Sequence, residues 1–235
     1  MTLKAVIFDV DGTLADTERD GHRPAFNAAF AAHGLDIAWS PDEYGDLLTI
    51  TGGRRRIAHD LRARGYGDDT AEALAADVHR TKTTLFERRI VEGGMTPRPG
   101  LPELIADLRA HGVHVAVATT GSRAWVDPLV RCVLGDGVAE VVVTGDDVTH
   151  LKPDPEVYLR AMAELGVGAR DVLAVEDSAV GLRSAIGAGL ATAVVTNGYT
   201  AGQDFTGAAA VQPCYLAPQL DTARCLLVHR QWWSG

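Results

Sequence analysis

Ala5-Val6-Ile7-Phe8-Asp9-Val10-Asp11-Gly12-Thr13-Leu14 starts as an unbroken apolar run and turns, at Asp9, into alternating acids closed by a glycine. Four apolar residues are too few for a helix. A strand covered on both faces reads this way, as in a parallel sheet. Asp9 and Asp11, two positions apart in extended chain, point roughly the same way, and Gly12 lets the backbone turn sharply and approach a ligand. The segment therefore delivers two carboxylates to the end of a buried strand.

Similar runs recur downstream at Val113–Ala118, Val141–Val143, Val172–Val175 and Thr192–Val195, separated by helical patterns. Leu101, Leu104, Ile105 and Leu108 follow one such pattern, with Gly112 where a cap would stand. Tyr158, Ala161, Met162 and Leu165 follow another, with Gly166 just past the end, so Tyr158 and Met162 are expected in the core. The expected fold is α/β, a Rossmann-like parallel sheet flanked by helices. From about Ala15 to Thr96 no comparable strand occurs, only helical stretches such as His22–Ala32 and Thr70–Ile90. A small helical insertion spanning 15–96 is expected, with 1–14 and 97–235 forming the sheet domain. Pro99 and Pro102 suit the helix start on the way back.

Composition sets limits on the partners. The 235 residues are 46% hydrophobic and 23% charged, as in ordinary globular proteins. A formal net charge of -9 argues against nucleic acid or an anionic membrane, which need a basic footprint. Cys132, Cys214 and Cys225 form neither a pair set nor a zinc spacing. Ser184–Gln203 is uncharged but is broken by Gly187, Gly189, Asn197 and Gly198 before it could span a bilayer. The apolar run before Asp9 is too short for a signal-peptide core. A cytoplasmic monomer acting on a small molecule is expected.

The residues that follow the strands are unusual in kind: Asp9 and Asp11, then Thr119 and Thr120, then Glu176 and Asp177. In an open parallel sheet these positions gather at the carboxyl edge, where ligands bind. Four carboxylates crowded there are unstable unless protonated or bound to a hard cation, for which magnesium is the natural candidate. Of Asp9 and Asp11, one carboxylate can attack as nucleophile while the other handles the protons.

Asp9-Val10-Asp11-Gly12-Thr13 resembles the DxDGT motif of the haloacid-dehalogenase-like hydrolase superfamily, and three further motifs follow in order. Thr119 resembles the hydroxyl of the second, Lys152 in Leu151-Lys152-Pro153-Asp154-Pro155 the lysine of the third, and Glu176-Asp177-Ser178 the acidic fourth. The resemblance implies that Asp9, the backbone carbonyl of Asp11 and Asp177 bind Mg2+ with Glu176 in support. It assigns the phosphoryl group to Thr119, with Thr120 beside it, and charge neutralisation to Lys152. An acid at Asp11 implies phosphatase or phosphomutase rather than dehalogenase.

Asp16–Arg23, Leu47–Arg54 and His79–Lys82 further resemble the cap of the CbbY-like branch. That implies a sugar-bisphosphate phosphatase, with xylulose-1,5-bisphosphate or a related sugar bisphosphate the expected substrate. Glu18 would accept from sugar hydroxyls, Arg54 and Lys82 would bind a second phosphate, and His22 would contact the leaving oxygen or the hydroxyls. Arg55 and Arg56 read as a solvated helix start, and the histidines other than His22 and His79 as structural. A mutase of the β-phosphoglucomutase type shares every catalytic residue and is the alternative. A non-catalytic binding protein on the same fold is the remote one.

Overall fold

The computed structural model describes residues 2–50, 52–216 and 220–234. Thr51, within the Leu47–Arg54 segment, lies outside them. The chain divides into two compact units, Met1–Asp16 with Met95–Gly235, and Thr17–Gly94.

The first unit is built on a parallel sheet of β1 (Ala5–Phe8), β2 (His114–Ala118), β3 (Val141–Val143), β4 (Val172–Glu176), β5 (Ala191–Val195) and β6 (Ala210–Gln212), in the order β3-β2-β1-β4-β5-β6. β1, β4 and β5 are buried at every position, which is why their sequences run apolar without alternation. β6 was not expected from the sequence. It is a three-residue edge strand, half-exposed, and the run leading into it, Ala208-Ala209-Ala210-Val211, is alanine with a single β-branched residue, so it lacks the β-branched character that betrays its neighbours.

Strand order reverses at β1, whose chain continues to β2 on one side while β4 lies on the other. Phe8 is level with Val117 and with Val175. One residue further, Asp9 therefore lies between Ala118 and Glu176, at the switch point where such sheets bind ligands.

The second unit is helical: α1 (Arg23–Ala32), α2 (Pro41–Leu47), α3 (Gly53–Ala63) and α4 (Asp68–Val91). Where the pattern predicts a helix from His22, Thr17–His22 instead forms one turn of π-helix ahead of α1, and Pro24 occupies the first turn of α1, where its missing N–H costs nothing. Ser40 opens α2 with a reciprocal capping box to Glu43. The unit's core is aromatic, with Trp39 packed against Phe26, Phe30 and Tyr44. The Trp39 indole N–H donates to Asp60.

Helices α5 (Leu101–Ala110), α6 (Arg123–Leu134), α7 (Glu156–Leu165), α8 (Ala179–Gly187) and α9 (Thr222–Trp232) belong to the sheet unit. The apolar faces read at Leu101–Leu108 and at Tyr158–Met162 are buried, and Gly166 caps α7 in the left-handed conformation. The C-terminal segment packs on this unit rather than fraying. Cys225, Val228 and His229 are buried, and the Arg170 guanidinium lies over the Trp233 ring. Among the described residues no helix is long and apolar enough to cross a membrane.

Candidate active site

Asp9 leaves β1 with its N–H donating to the Val175 carbonyl at 2.9 Å, so the sheet ladder still holds its backbone. The turn beyond it is self-bonded. Thr13 and Leu14 donate to the Val10 carbonyl and Gly12 to Ala15, which leaves Asp11 half-buried at the tip. Gly12 has φ of +76°, a value that side chains with a Cβ rarely adopt.

Lys152 is the hub of the site. Its buried ammonium donates to Asp9 Oδ1 at 2.7 Å, Glu176 Oε1 at 2.7 Å and the Ala118 carbonyl at 2.9 Å, using all three of its protons. The loop carrying it is fastened from both sides. Glu156 accepts from the Thr149 and His150 N–H groups, and Ser184 donates to the Asp154 carbonyl. His150, Asp154 and Glu156 lie close together for this reason, as a loop fastening in which both Glu156 oxygens are engaged with backbone.

Tyr158 donates to Glu176 Oε1 at 2.5 Å and stacks its ring under the Lys152 ammonium. It is a core residue, as expected, and a site residue that the helical periodicity did not reveal. Two further residues escaped the sequence reading. Asn197 donates to Asp177 Oδ2, and the buried Arg98 donates to the carbonyls of Gly12, Val195 and Thr196. Asn197 is the second residue past the end of β5, so the strand-end rule extended to that loop would have found it. Thr119 is buried at the end of β2 with its hydroxyl accepting from the Gly121 N–H, and Thr120 beside it is half-buried.

Ligand atoms of Asp9, Glu176 and Asp177 all lie within 4.8 Å of one another. Three buried carboxylates against one ammonium leave two negative charges uncompensated, the charge of one divalent cation. The titration behaviour follows. Burial raises Asp9 and pushes Glu176 up to about 7, and burial with the neighbouring Asp9 and Glu176 charges raises Asp177 well above the usual range. Burial works against the Lys152 charge, yet Asp9 and Glu176 overcome it and hold the ammonium protonated. Glu176 Oε2 is buried with no hydrogen-bond partner. An all-oxygen donor set, surplus negative charge and an orphaned carboxylate oxygen fit Mg2+.

The helical unit gathers a second polar cluster. Lys82 donates to His22 Nδ1 at 2.8 Å and lies over the Phe26 and Phe86 rings. Burial and the Lys82 charge push His22 down to about 3, so the imidazole is neutral. Glu18 accepts from the Tyr44 hydroxyl, to which Arg56 also donates. Of the three arginines it is thus Arg56, read from sequence as solvated, that joins this cluster. The Arg54 guanidinium lies at the surface, paired with Glu72.

A family model described as haloacid dehalogenase-like hydrolase matches residues 3–189. Protein CbbY of Rhodobacter capsulatus is 46% identical over 212 residues, 88% of this chain and 92% of that protein. CbbY from Rhodobacter sphaeroides in complex with phosphate superposes with a TM-score of 0.77 at 42% identity, covering 91% of this chain and 95% of that one. A mutant of the same protein, solved in complex with xylulose-(1,5)bisphosphate, gives a TM-score of 0.76 with the same identity and coverage.

Proposed function

The chain belongs to the haloacid dehalogenase-like hydrolase family and is a phosphatase, and from that premise we propose that it is magnesium-dependent and hydrolyses a sugar bisphosphate, xylulose-1,5-bisphosphate or a close relative. One observation carries the reading. The buried Asp9–Lys152–Glu176 triad with Asp177 is a site for a cation and a phosphoryl group, in a chain 42% identical to a protein solved with that bisphosphate.

In this reading the Asp9 carboxylate attacks phosphorus, the phosphorus–oxygen ester bond breaks, and Asp11 gives its proton to the leaving sugar oxygen. Asp11 then takes a proton from water, which attacks the aspartyl-phosphate at phosphorus and frees inorganic phosphate and Asp9. Lys152 holds Asp9 in place, and Thr119 with Thr120 binds phosphoryl oxygens. Asp9, the Asp11 carbonyl and Asp177 would hold Mg2+, which supplies charge neutralisation and polarises the phosphoryl group. Asp11 has to start protonated to give up that proton.

We assign the substrate's hydroxyls and second phosphate to Glu18, His22, Arg54 and Lys82. Lys82 is the best supported of these, because a buried ammonium on two aromatic faces is a preorganised anion site.

The test is release of inorganic phosphate from xylulose-1,5-bisphosphate, with Mg2+ or with chelator, by wild type and Asp9→Asn. Stoichiometric phosphate, lost with chelator and in the variant, is expected. Full turnover by Asp9→Asn overturns the mechanism. An isomerised sugar phosphate that needs a bisphosphate primer would make the protein a mutase.

A further inference from the structure

Asn197 follows β5 in a polar segment, Thr196-Asn197-Gly198-Tyr199-Thr200, that the mechanism above leaves without a task. Its backbone is pinned at both ends. The Asn197 N–H donates to Thr200 Oγ1 at 3.0 Å, and its carbonyl accepts from the Thr200 and Ala201 N–H groups. The side chain has only one self-consistent orientation. Oδ1 accepts from the Tyr199 N–H at 2.9 Å, and since a backbone N–H can only donate, the amide oxygen has to face it. Nδ2 is thereby directed at Asp177, where it donates to Oδ2 at 2.7 Å.

The room for this pair comes from the turn after β1. A Cβ on Gly12 would sit 2.2 Å from Asp177 Oδ2 and 2.6 Å from Asn197 Nδ2. The glycine thus serves the Asp177–Asn197 bond as well as its own turn.

We propose that Asn197 is a positioning residue that holds the Asp177 carboxylate in a fixed orientation for a divalent cation. This rests on the magnesium reading given above. Among the described residues the hydrogen bond on the Asp177 carboxylate is the one from Asn197, and a partner that orients a ligating carboxylate is typically worth about 10–100-fold in metal affinity.

Calorimetric titration with Mg2+ alone, without substrate, tests this in wild type, Asn197→Ala and Asn197→Ser. Serine can still accept from the Tyr199 N–H but is too short to reach Asp177, so it keeps the loop and loses the bond. Both variants, folded by circular dichroism, are expected to bind Mg2+ about 10–100-fold more weakly. The Mg2+ concentration for half-maximal phosphate release shifts by the same factor, and the rate at saturating Mg2+ largely recovers. A Kd within twofold of wild type in either folded variant overturns the inference, and the serine variant decides if the alanine one does not fold. A wild type that takes up no Mg2+ overturns the metal reading itself, and this inference with it.

Discussion

The Lys152 ammonium lies 2.7 Å from Asp9 Oδ1 in a site where both side chains are nearly sealed from solvent. Removing one member of a buried pair leaves its partners uncompensated, which typically costs about 3–5 kcal/mol. Lys152→Met exposes Asp9 to Glu176 and Asp177 with no cation between them. We expect it to lose about 3 kcal/mol of stability in chelator, measured by urea unfolding, and to recover part of that loss in Mg2+. Equal stability with and without Mg2+ would contradict this account of the site's charge.

Asp11 is half-buried at the tip of a turn whose backbone is bonded within itself, so its carboxyl can be changed without disturbing the ladder of β1. Asp11→Asn keeps the shape and removes the proton. Phosphate release is expected to fall by about 10²–10⁴, the usual scale for losing an acid-base group. Mg2+ affinity is expected to stay within a few fold, because the carbonyl proposed as ligand remains. A loss of metal binding equal to the loss of rate would instead make Asp11 a side-chain ligand.

The sheet and the acidic cluster at its strand ends were legible because burial on both faces forces β1, β4 and β5 into apolar runs, and a charged residue at the end of such a run stands out. β6 was not, since half-exposed Ala210–Gln212 carries no such contrast. Within the site, residues that act through charge announced themselves, whereas those that act through placement did not. Tyr158 repeats at helical spacing among core residues, and nothing in that pattern shows its hydroxyl bonded to Glu176. Arg98 reads as part of a proline-marked helix start, yet its guanidinium bonds three carbonyls contributed by two distant segments. That Arg56 rather than Arg54 donates to the Tyr44 hydroxyl depends on a contact across 12 positions of sequence. Such assignments live in tertiary contacts, to which a one-dimensional pattern has no access.

Burial sets a pH dependence whose sign can be worked out. Glu176 is pushed up to about 7 from its ordinary 4.5, so the folded protein holds that proton more tightly than the unfolded chain does. Its contribution to stability is present in full below about 4.5 and is lost as pH rises through 7. Asp9 and Asp177, also raised, act in the same sense. In chelator, the thermal midpoint is expected to fall between pH 5 and 8, and Glu176→Gln should flatten that fall. Mg2+ should restore stability at pH 8 and do little at pH 5, where protons already neutralise the acids. A chelated protein whose midpoint is level over this range, or rises, would show that the carboxylates are not held protonated by burial.

Two glycines of α8 separate a packing requirement from ordinary helix propensity. Alanine is favoured over glycine inside a helix by about 0.5–1 kcal/mol, so Gly→Ala in α8 is stabilising by default. At Gly187 a Cβ would meet nothing nearer than Pro155 at 3.4 Å, an ordinary contact, and Gly187→Ala is expected to be neutral or mildly stabilising. At Gly181 it would sit 1.8 Å from Glu176 Oε2 and 2.2 Å from Oε1, a collision with a carboxylate that has no room to withdraw. Glu176 must then move away from Lys152 and Tyr158, both of which it currently accepts from. Gly181→Ala is therefore expected to lose about 1–3 kcal/mol, the scale of overpacking. Phosphate release should fall at least tenfold as Lys152 is displaced, although the substituted residue touches no substrate. Urea unfolding and phosphate release on the two variants side by side give the answer. If Gly181→Ala proved as stable and as active as Gly187→Ala, the Glu176 carboxylate would not be confined as the structure has it, and its link to Lys152 would not matter for turnover.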